Sequence, residues 1–146
     1  KLFSDEHMMF SMEGEHAMIH SNVFNYINVM DKTLDAAWTR NEVISNNLAN
    51  VDTPGYKRQD VSFEDELRHA LGSTRYQTVD AKVAGLKINR LNPRTYTDYS
   101  SLSYRTDRNN VDIDTENVLL ASNQLKYNAL MASVNQEFSN LKMVMR

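Results

Sequence analysis

Between positions 21 and 50, apolar residues recur at helical spacing. Val23, Ile27, Met30, Leu34, Ala37, Asn41, Ile44 and Leu48 stand 4, 3, 4, 3, 4, 3 and 4 residues apart. All but Asn41 are apolar, which makes this the a/d seam of a heptad pattern. The spacing predicts a helix over 21–50, about 45 Å long at 1.5 Å per residue. The far end of the chain repeats the pattern in Leu120, Gln124, Tyr127, Met131, Val134, Phe138, Leu141 and Met145, with Gln124 the polar exception. Asp114 and Thr115 offer an N-cap there, and Glu116 suits the first turn, so a second helix is expected over 115–146. Neither 15–53 nor 94–146 contains Gly or Pro to interrupt it. Two helices alike in length and phase predict a mainly α fold. They pair as an antiparallel, coiled-coil-like hairpin, with position 34 facing about 131 and 50 facing about 115.

Such a hairpin buries one stripe per helix. Phe24, Val29, Trp38, Val43, Val118, Leu119, Leu125 and Leu130 lie off the seams. Burying each contributes about 1.5–3 kcal/mol, and leaving them wet makes a sticky surface. Either the middle of the chain covers them or other chains do, and the pattern balances the two readings.

The middle, 51–114, is patterned differently. Thr53-Pro54-Gly55-Tyr56 predicts a type II turn, with Pro at its second position and Gly supplying positive φ at its third. Phe63, Leu67, Ala70 and Leu71 form one face of a short helix over 63–71, capped by Ser62 and stopped by Gly72. From Ser73 to Asn110 no helical period holds, and the alternations Tyr76/Thr78 and Leu86/Ile88 predict at most one or two small strands. The chain thus divides into an N-terminal tail (1–20), a paired helical domain (21–50 and 115–146) and an irregular, small-β middle (51–114). The chain begins on Lys1, so the residues ahead of Met8, Met12 or Met18 are open to an artificial origin.

Composition narrows the function classes. The 146 residues carry net charge −3, which argues against a bulk basic nucleic-acid binder. Arg75, Lys82, Lys87, Arg90, Arg94, Arg105 and Arg108 interleave with Tyr in the middle, yet acidic residues balance them, so a solvated or protein-contacting loop is the better reading. Cys is absent, which removes disulfides, thiolate metal sites and a Cys nucleophile. No apolar run approaches the roughly 20 residues that span a bilayer. Asp5, Glu6, Glu13 and Glu15 break up any signal-peptide core. His16 and His20 stand at i,i+4 spacing beside Glu15, a pair that can share a metal, but no third ligand accompanies them. Glu64, Asp65 and Glu66 are consecutive, so a helix splays them. No phosphate-cradling loop and no nucleophile–base arrangement stands out. Neither an enzyme, a cofactor nor a small-molecule substrate is expected.

The stretch Ser45-Asn46-Asn47-Leu48-Ala49-Asn50-Val51-Asp52-Thr53-Pro54-Gly55-Tyr56-Lys57-Arg58 resembles the signature of the bacterial flagellar rod and hook axial proteins. Its core is Asn47-Leu48-Ala49-Asn50 followed by Thr53-Pro54-Gly55-Tyr56. Asn109-Asn110-Val111-Asp112 leading into Asn123-Gln124-Leu125-Lys126-Tyr127 also fits. The likeness covers about 18–71 and 107–146. Ser62-Phe63-Glu64 and the ending Phe138-Ser139-Asn140-Leu141-Lys142 favour the proximal-rod branch. One departure is Arg108, where rod proteins often carry Gly.

The resemblance implies a structural motility protein that self-assembles through its terminal helices into the helical, tubular axle transmitting torque from motor to hook. The implied partners are other copies, the rod protein FlgC and further rod proteins, the export-gate adaptor FliE and the membrane-ring base. The implied location is the basal-body rod in the periplasmic space. It is reached by flagellar type III export without a cleaved signal peptide. The seam residues expected to serve helix packing and assembly are Ile27, Met30, Leu34, Ala37, Ile44, Leu48, Leu120, Tyr127, Met131, Val134, Phe138 and Leu141. Two readings from other classes compete. A soluble helical adaptor or chaperone-like module would close its bundle and expose no apolar stripe, and a metal-dependent enzyme would bind metal at His16 and His20.

Overall fold

A computed structural model describes residues 3–72, 77–99 and 106–145, with side chains described from Val23 onward. The fold is mainly helical, as the pattern predicts. Helix α1 spans Phe3–Ala49 and helix α4 spans Ile113–Val144. Between them lie strand β1 (Gln59–Ser62), helix α2 (Glu64–Ala70), helix α3 (Val79–Ala84), a 3-10 turn (Ile88–Arg90) and strand β2 (Arg94–Thr97). Helix α1 begins well ahead of Ser21, since nothing after Phe3 but Gly14 disfavours a helix.

The two long helices pack antiparallel. Asn47 of α1 reaches Glu116 of α4 at 3.1 Å, and Asn123 of α4 reaches the Ala37 carbonyl at 2.8 Å. The expected register sets 47 opposite 118 and 37 opposite 128; the two bonds fall two and five residues short of that, while Ala37 shares a cleft with Tyr127, one residue from it.

The seam of α4 also differs in phase. Leu120, Tyr127, Val134 and Leu141 are half-buried, as expected of seam positions. Gln124, Met131, Phe138 and Met145 are exposed, and the residues one step earlier replace them: Asn123 is buried and Leu130 and Glu137 are half-buried. The reason is polar. Glu116 and Asn123 have partners on α1, and a buried polar group with a partner specifies one register, which a purely apolar count does not register.

Helix α1 has two packed faces. Ala37 and Ile44 turn toward α4. Ala36 and Val43, one residue earlier on the helix, join Val61, Phe63 and Leu91 in a core cluster edged by Leu67 and Leu86. The middle segment therefore covers Val43, while Phe24, Trp38, Val118 and Leu125 stay exposed. Nothing described within the chain covers those four exposed residues.

Strands β1 and β2 pair antiparallel, with Gln59 opposite Thr97 and Ser62 opposite Arg94. The expected strands at Tyr76/Thr78 and Leu86/Ile88 are not where the sheet forms. Thr78 instead caps α3, its hydroxyl accepting from Ala81 N at 3.3 Å, and Ile88 opens the 3-10 turn. Tyr76 lies outside the described residues. Two strands far apart in sequence found each other across a covering of α1, and alternation over two or three residues carries no such information. Helix α3 is too short for a helical period to show.

Two caps differ as well. Phe63, not Ser62, is the N-cap of α2 and makes no side-chain cap bond, because Ser62 belongs to β1 and Phe63 is buried in the core. Asp112 rather than Asp114 or Thr115 caps α4: it accepts from Asp114 N at 3.2 Å and from the Thr115 hydroxyl at 2.7 Å. Gly72 follows α2 at φ +67, bonding back to Arg68 and His69 carbonyls, as a helix stop should.

Candidate functional site

The signature residues form a polar latch where α1 ends, β1 begins and α4 starts. Asn47 is buried on the last turns of α1. Its amide reads the backbone of β1 as a neighbouring strand would: Nδ2 donates to the Gln59 carbonyl at 2.8 Å, and Oδ1 accepts from Gln59 N at 3.0 Å. Oδ1 also accepts from the Tyr56 hydroxyl at 3.2 Å. A single side chain thereby ties the helix to the strand that follows the turn.

The turn itself is type II in character. Gly55 sits at φ +75, and Tyr56 N donates to the Thr53 carbonyl at 3.3 Å. Thr53, Pro54 and Gly55 are exposed, Tyr56 half-buried. Gly55 N donates to the Asp107 carbonyl at 2.8 Å, so the turn is held by the segment leading into α4.

Asn109 serves the C-terminal end of α1. A helix leaves its last carbonyls without intrahelical partners. Nδ2 of Asn109 donates to the carbonyls of Asn50, Val51 and Thr53 at 2.9, 2.8 and 3.0 Å. Its Oδ1 accepts from Val111 N at 2.8 Å. Asn110 accepts from Arg58 N at 2.7 Å and donates to the Asp98 carbonyl at 2.9 Å. Arg108, just before, takes φ +63, the left-handed conformation in which glycine is the easy residue. Its carbonyl accepts from Lys57 Nζ at 2.7 Å.

A charge pair completes the latch. Glu116, fully buried at 0% exposure, accepts from Arg58 Nε at 2.5 Å through one oxygen and from Asn47 through the other. Arg58 also reaches Asp98 at 2.9 Å and Asp60 at 3.2 Å. Burial works against the Arg58 charge, but the bond to Glu116 and the charges of Glu116 and Asp60 outweigh it, so the guanidinium is held charged above its ordinary range. Nearby, Arg40 of α1 forks onto both oxygens of Glu64 and the Val61 carbonyl. The Arg40 bond holds the Glu64 carboxyl below the usual carboxylate range, against the opposing effect of burial. These pairs line a cleft of about 300 Å³ between α1, β1 and α4 that Lys126 also borders; Arg40 and Arg58 are committed to carboxylates rather than open to a ligand.

The remaining expected residues lie along the helices. Ala37 and Ile44 are buried; Ile27, Met30, Leu34, Leu48, Leu120, Tyr127, Val134 and Leu141 are half-buried; Ala49, Met131 and Phe138 are exposed. Hydrophobic pattern missed Arg58, Asn109, Glu116 and Asn123 as organisers, since polar residues signal burial only through partners that are distant in sequence. The available signal was that Arg58, Asn109 and Asn123 stand in the motif stretches, whereas Glu116 showed only as a first-turn acid. Among the described residues, no group of three or more His, Asp or Glu is placed to hold a metal. His16 and His20 lie outside the described side chains. Also among the described residues, no helix is long and apolar enough to cross a membrane.

The first part of the latch, Asn47 to Tyr56, falls within a known family pattern. The family described as "Flagella basal body rod protein" matches residues 27–57, which run from mid-α1 through the turn. The chain is similar to flagellar basal body rod protein FlgB of Bacillus subtilis (strain 168), 35% identical over 121 residues, covering 80% of this chain and 89% of that protein. It is 33% identical to the protein of that name in Borrelia hermsii over 135 residues, covering 86% and 99%. It is 28% identical to that of Escherichia coli (strain K12) over 114 residues, covering 73% and 83%.

Proposed function

The chain belongs to the FlgB family of flagellar basal body rod proteins, and from that premise we propose that it is a proximal-rod subunit that works by assembly. Its two long helices join those of neighbouring subunits in the helical axle that carries torque from motor to hook. The polar latch holds the middle segment at a defined angle to the helices. Neighbours are other copies, FlgC and further rod proteins, with FliE and the membrane ring at the base. The subunit reaches the periplasmic rod through the flagellar type III apparatus without a cleaved signal peptide.

The observation that carries this reading is the apolar surface left over after the chain has folded. Leu125 is 71% exposed, Trp38 57% and Phe138 54%, all on the two helices. Val118 and Leu125 stand seven residues apart, a pair of helical turns, on the side of α4 away from Asn123. Large apolar groups that fold-internal packing leaves wet mark protein contacts. A closed adaptor bundle would have covered them.

Disulfide cross-linking tests the reading, and the Cys-free background makes it clean. Ala37 and Tyr127 line one small cleft between α1 and α4, so Ala37→Cys with Tyr127→Cys is expected to link within one chain in purified monomer. The same protein is expected to co-purify with basal bodies and keep that link. Links between chains only in basal bodies would mean that the helices exchange partners on assembly. Absence from basal bodies would overturn the rod reading.

A further inference from the structure

The small sheet has one edge that is closed and one that is open. In an antiparallel ladder, pairs that exchange backbone bonds alternate with pairs whose N–H and C=O groups point away from each other. Asp98 N donates to the Arg58 carbonyl at 2.8 Å, so Arg58 and Asp98 form a bonded pair. The next residues pair as Gln59–Thr97, Asp60–Tyr96, Val61–Thr95 and Ser62–Arg94. The alternation therefore turns the backbone groups of Gln59 and Val61 outward on β1, and those of Thr95 and Thr97 outward on β2. The β1 edge is occupied: Asn47 takes both the N–H and the carbonyl of Gln59, and Arg40 takes the Val61 carbonyl. On the β2 edge, Thr95 is exposed and Thr97 half-buried, and neither has a partner for its outward groups among the described residues.

An open edge of this kind is a template for another strand, and its side chains fit a second copy of itself. Antiparallel pairing through the outward groups sets Thr95 against Thr97 of the second copy, where both backbone bonds are exchanged. The rest of the register follows. Tyr96 meets Tyr96 on a twofold axis, and Arg94 faces Asp98 of the second copy on either side of it. These are the non-bonded pairs, whose side chains approach most closely, and aromatic pairs and opposite charges in such positions stabilise a sheet. Tyr96 is 47% exposed. The Arg94 side chain is 78% exposed and reaches Glu66 at 3.8 Å. Asp98 receives Arg58 on Oδ2 at 2.9 Å, and a carboxylate accepts from more than one donor. Pro93, with no N–H, ends the pairing just before Arg94. An unrelated strand would gain the backbone bonds alone, whereas a second copy gains them with rings and charges matched.

We propose that two copies of the free chain pair through β2, edge to edge, into a continuous antiparallel sheet β1–β2–β2–β1 with its twofold axis at Tyr96. A twofold contact is closed and does not repeat along a polar axle. The pair is therefore a state of the subunit before assembly, and it stands apart from the rod reading. It also covers an edge that would otherwise recruit other strands.

Single cysteines in the Cys-free chain test the register. Tyr96→Cys brings two thiols face to face at a non-bonded pair, about 4.5 Å between Cα atoms, within reach of a disulfide. Tyr99→Cys serves as the comparison: position 99 is the more exposed, at 71%, yet its two copies would stand about 20 Å apart along the paired strands. Each purified chain is oxidised with diamide, and the covalent dimer is followed on non-reducing gels. Tyr96→Cys is expected to link at least tenfold faster. Random collision favours the more exposed site, so equal or slower linking at 96 would overturn the proposal. Arg94→Glu added to Tyr96→Cys sets like charges against Asp98 of the second copy. It is expected to slow linking at least fivefold while the melting temperature of the monomer stays within about 2 °C, since Arg94 is exposed. Linking unchanged by Arg94→Glu would overturn the register and the proposal with it. Sedimentation velocity of the native chain reads the same contact with Tyr96 in place. A shift toward dimer with rising concentration, lost in Arg94→Glu, is expected, and a native chain that stays monomeric at every concentration would overturn the pairing.

Discussion

Asn109 shows what one residue does in this fold. Its amide closes three carbonyls at the end of α1, and no apolar residue can replace that service. Asn109→Ala removes that shared donor and leaves the buried Val111 N without its acceptor, and is expected to destabilise by about 1–3 kcal/mol in urea unfolding. Glu116→Ala removes the buried carboxylate to which Arg58 and Asn47 both donate; Arg58 keeps Asp98 and Asp60, so the expected cost is about 1–3 kcal/mol. Gly55→Ala gives a contrasting case. A Cβ there would meet nothing within 4 Å, so its cost is purely that of a non-glycine residue at φ +75, about 1–2 kcal/mol. The Thr-Pro-Gly turn was fully legible from sequence, because its geometry is set by four adjacent residues. The role of Asn109 was not, for its partners lie more than fifty residues away.

At the scale of elements, the helices were legible and their meeting was not. Seven apolar residues at heptad spacing identify α1 regardless of what it touches. The phase of α4 depends on Asn123 and Glu116, each chosen by a partner on α1, so the apolar count drifted by one residue along Met131 and Phe138. The β1–β2 pair was invisible for a related reason: four-residue strands separated by α2 and α3 carry too little alternation to declare themselves. Their join to α1 has a pH signature. Glu64 has a folded pKa below its ordinary value of 4.5, with the Arg40 bond as the main cause. That bond therefore contributes stability above about pH 4.5, and the contribution is lost as pH falls through the lower folded value. Urea unfolding of the native chain and Glu64→Gln is expected to show a stability gap at pH 7 that narrows as pH falls below about 4.5. The gap is small, since the side chain is half-exposed and screened.

Across the whole molecule, folding leaves one class of surface unresolved within the chain. Val118, Leu125 and Trp38 stay exposed while Val43 and Phe63 are buried in the core cluster. Leu125→Glu is expected to leave the monomer's melting temperature within about 2 °C of native, since surface substitutions away from special features move stability little. The same change is expected to abolish incorporation into basal bodies, read by immunoblot of the purified organelle, and with it motility on soft agar. Sequence by itself determined the two long helices, the turn between α1 and the middle, the helix stop at Gly72 and the family signature. All of these rest on neighbours in the chain or on a repeating period. Tertiary structure alone decided the register of α1 against α4, the pairing of β1 with β2 and the partners of Asn47, Asn109, Glu116 and Asn123. A buried polar side chain is placed by its hydrogen-bond partner, and here those partners come together only once the chain has folded.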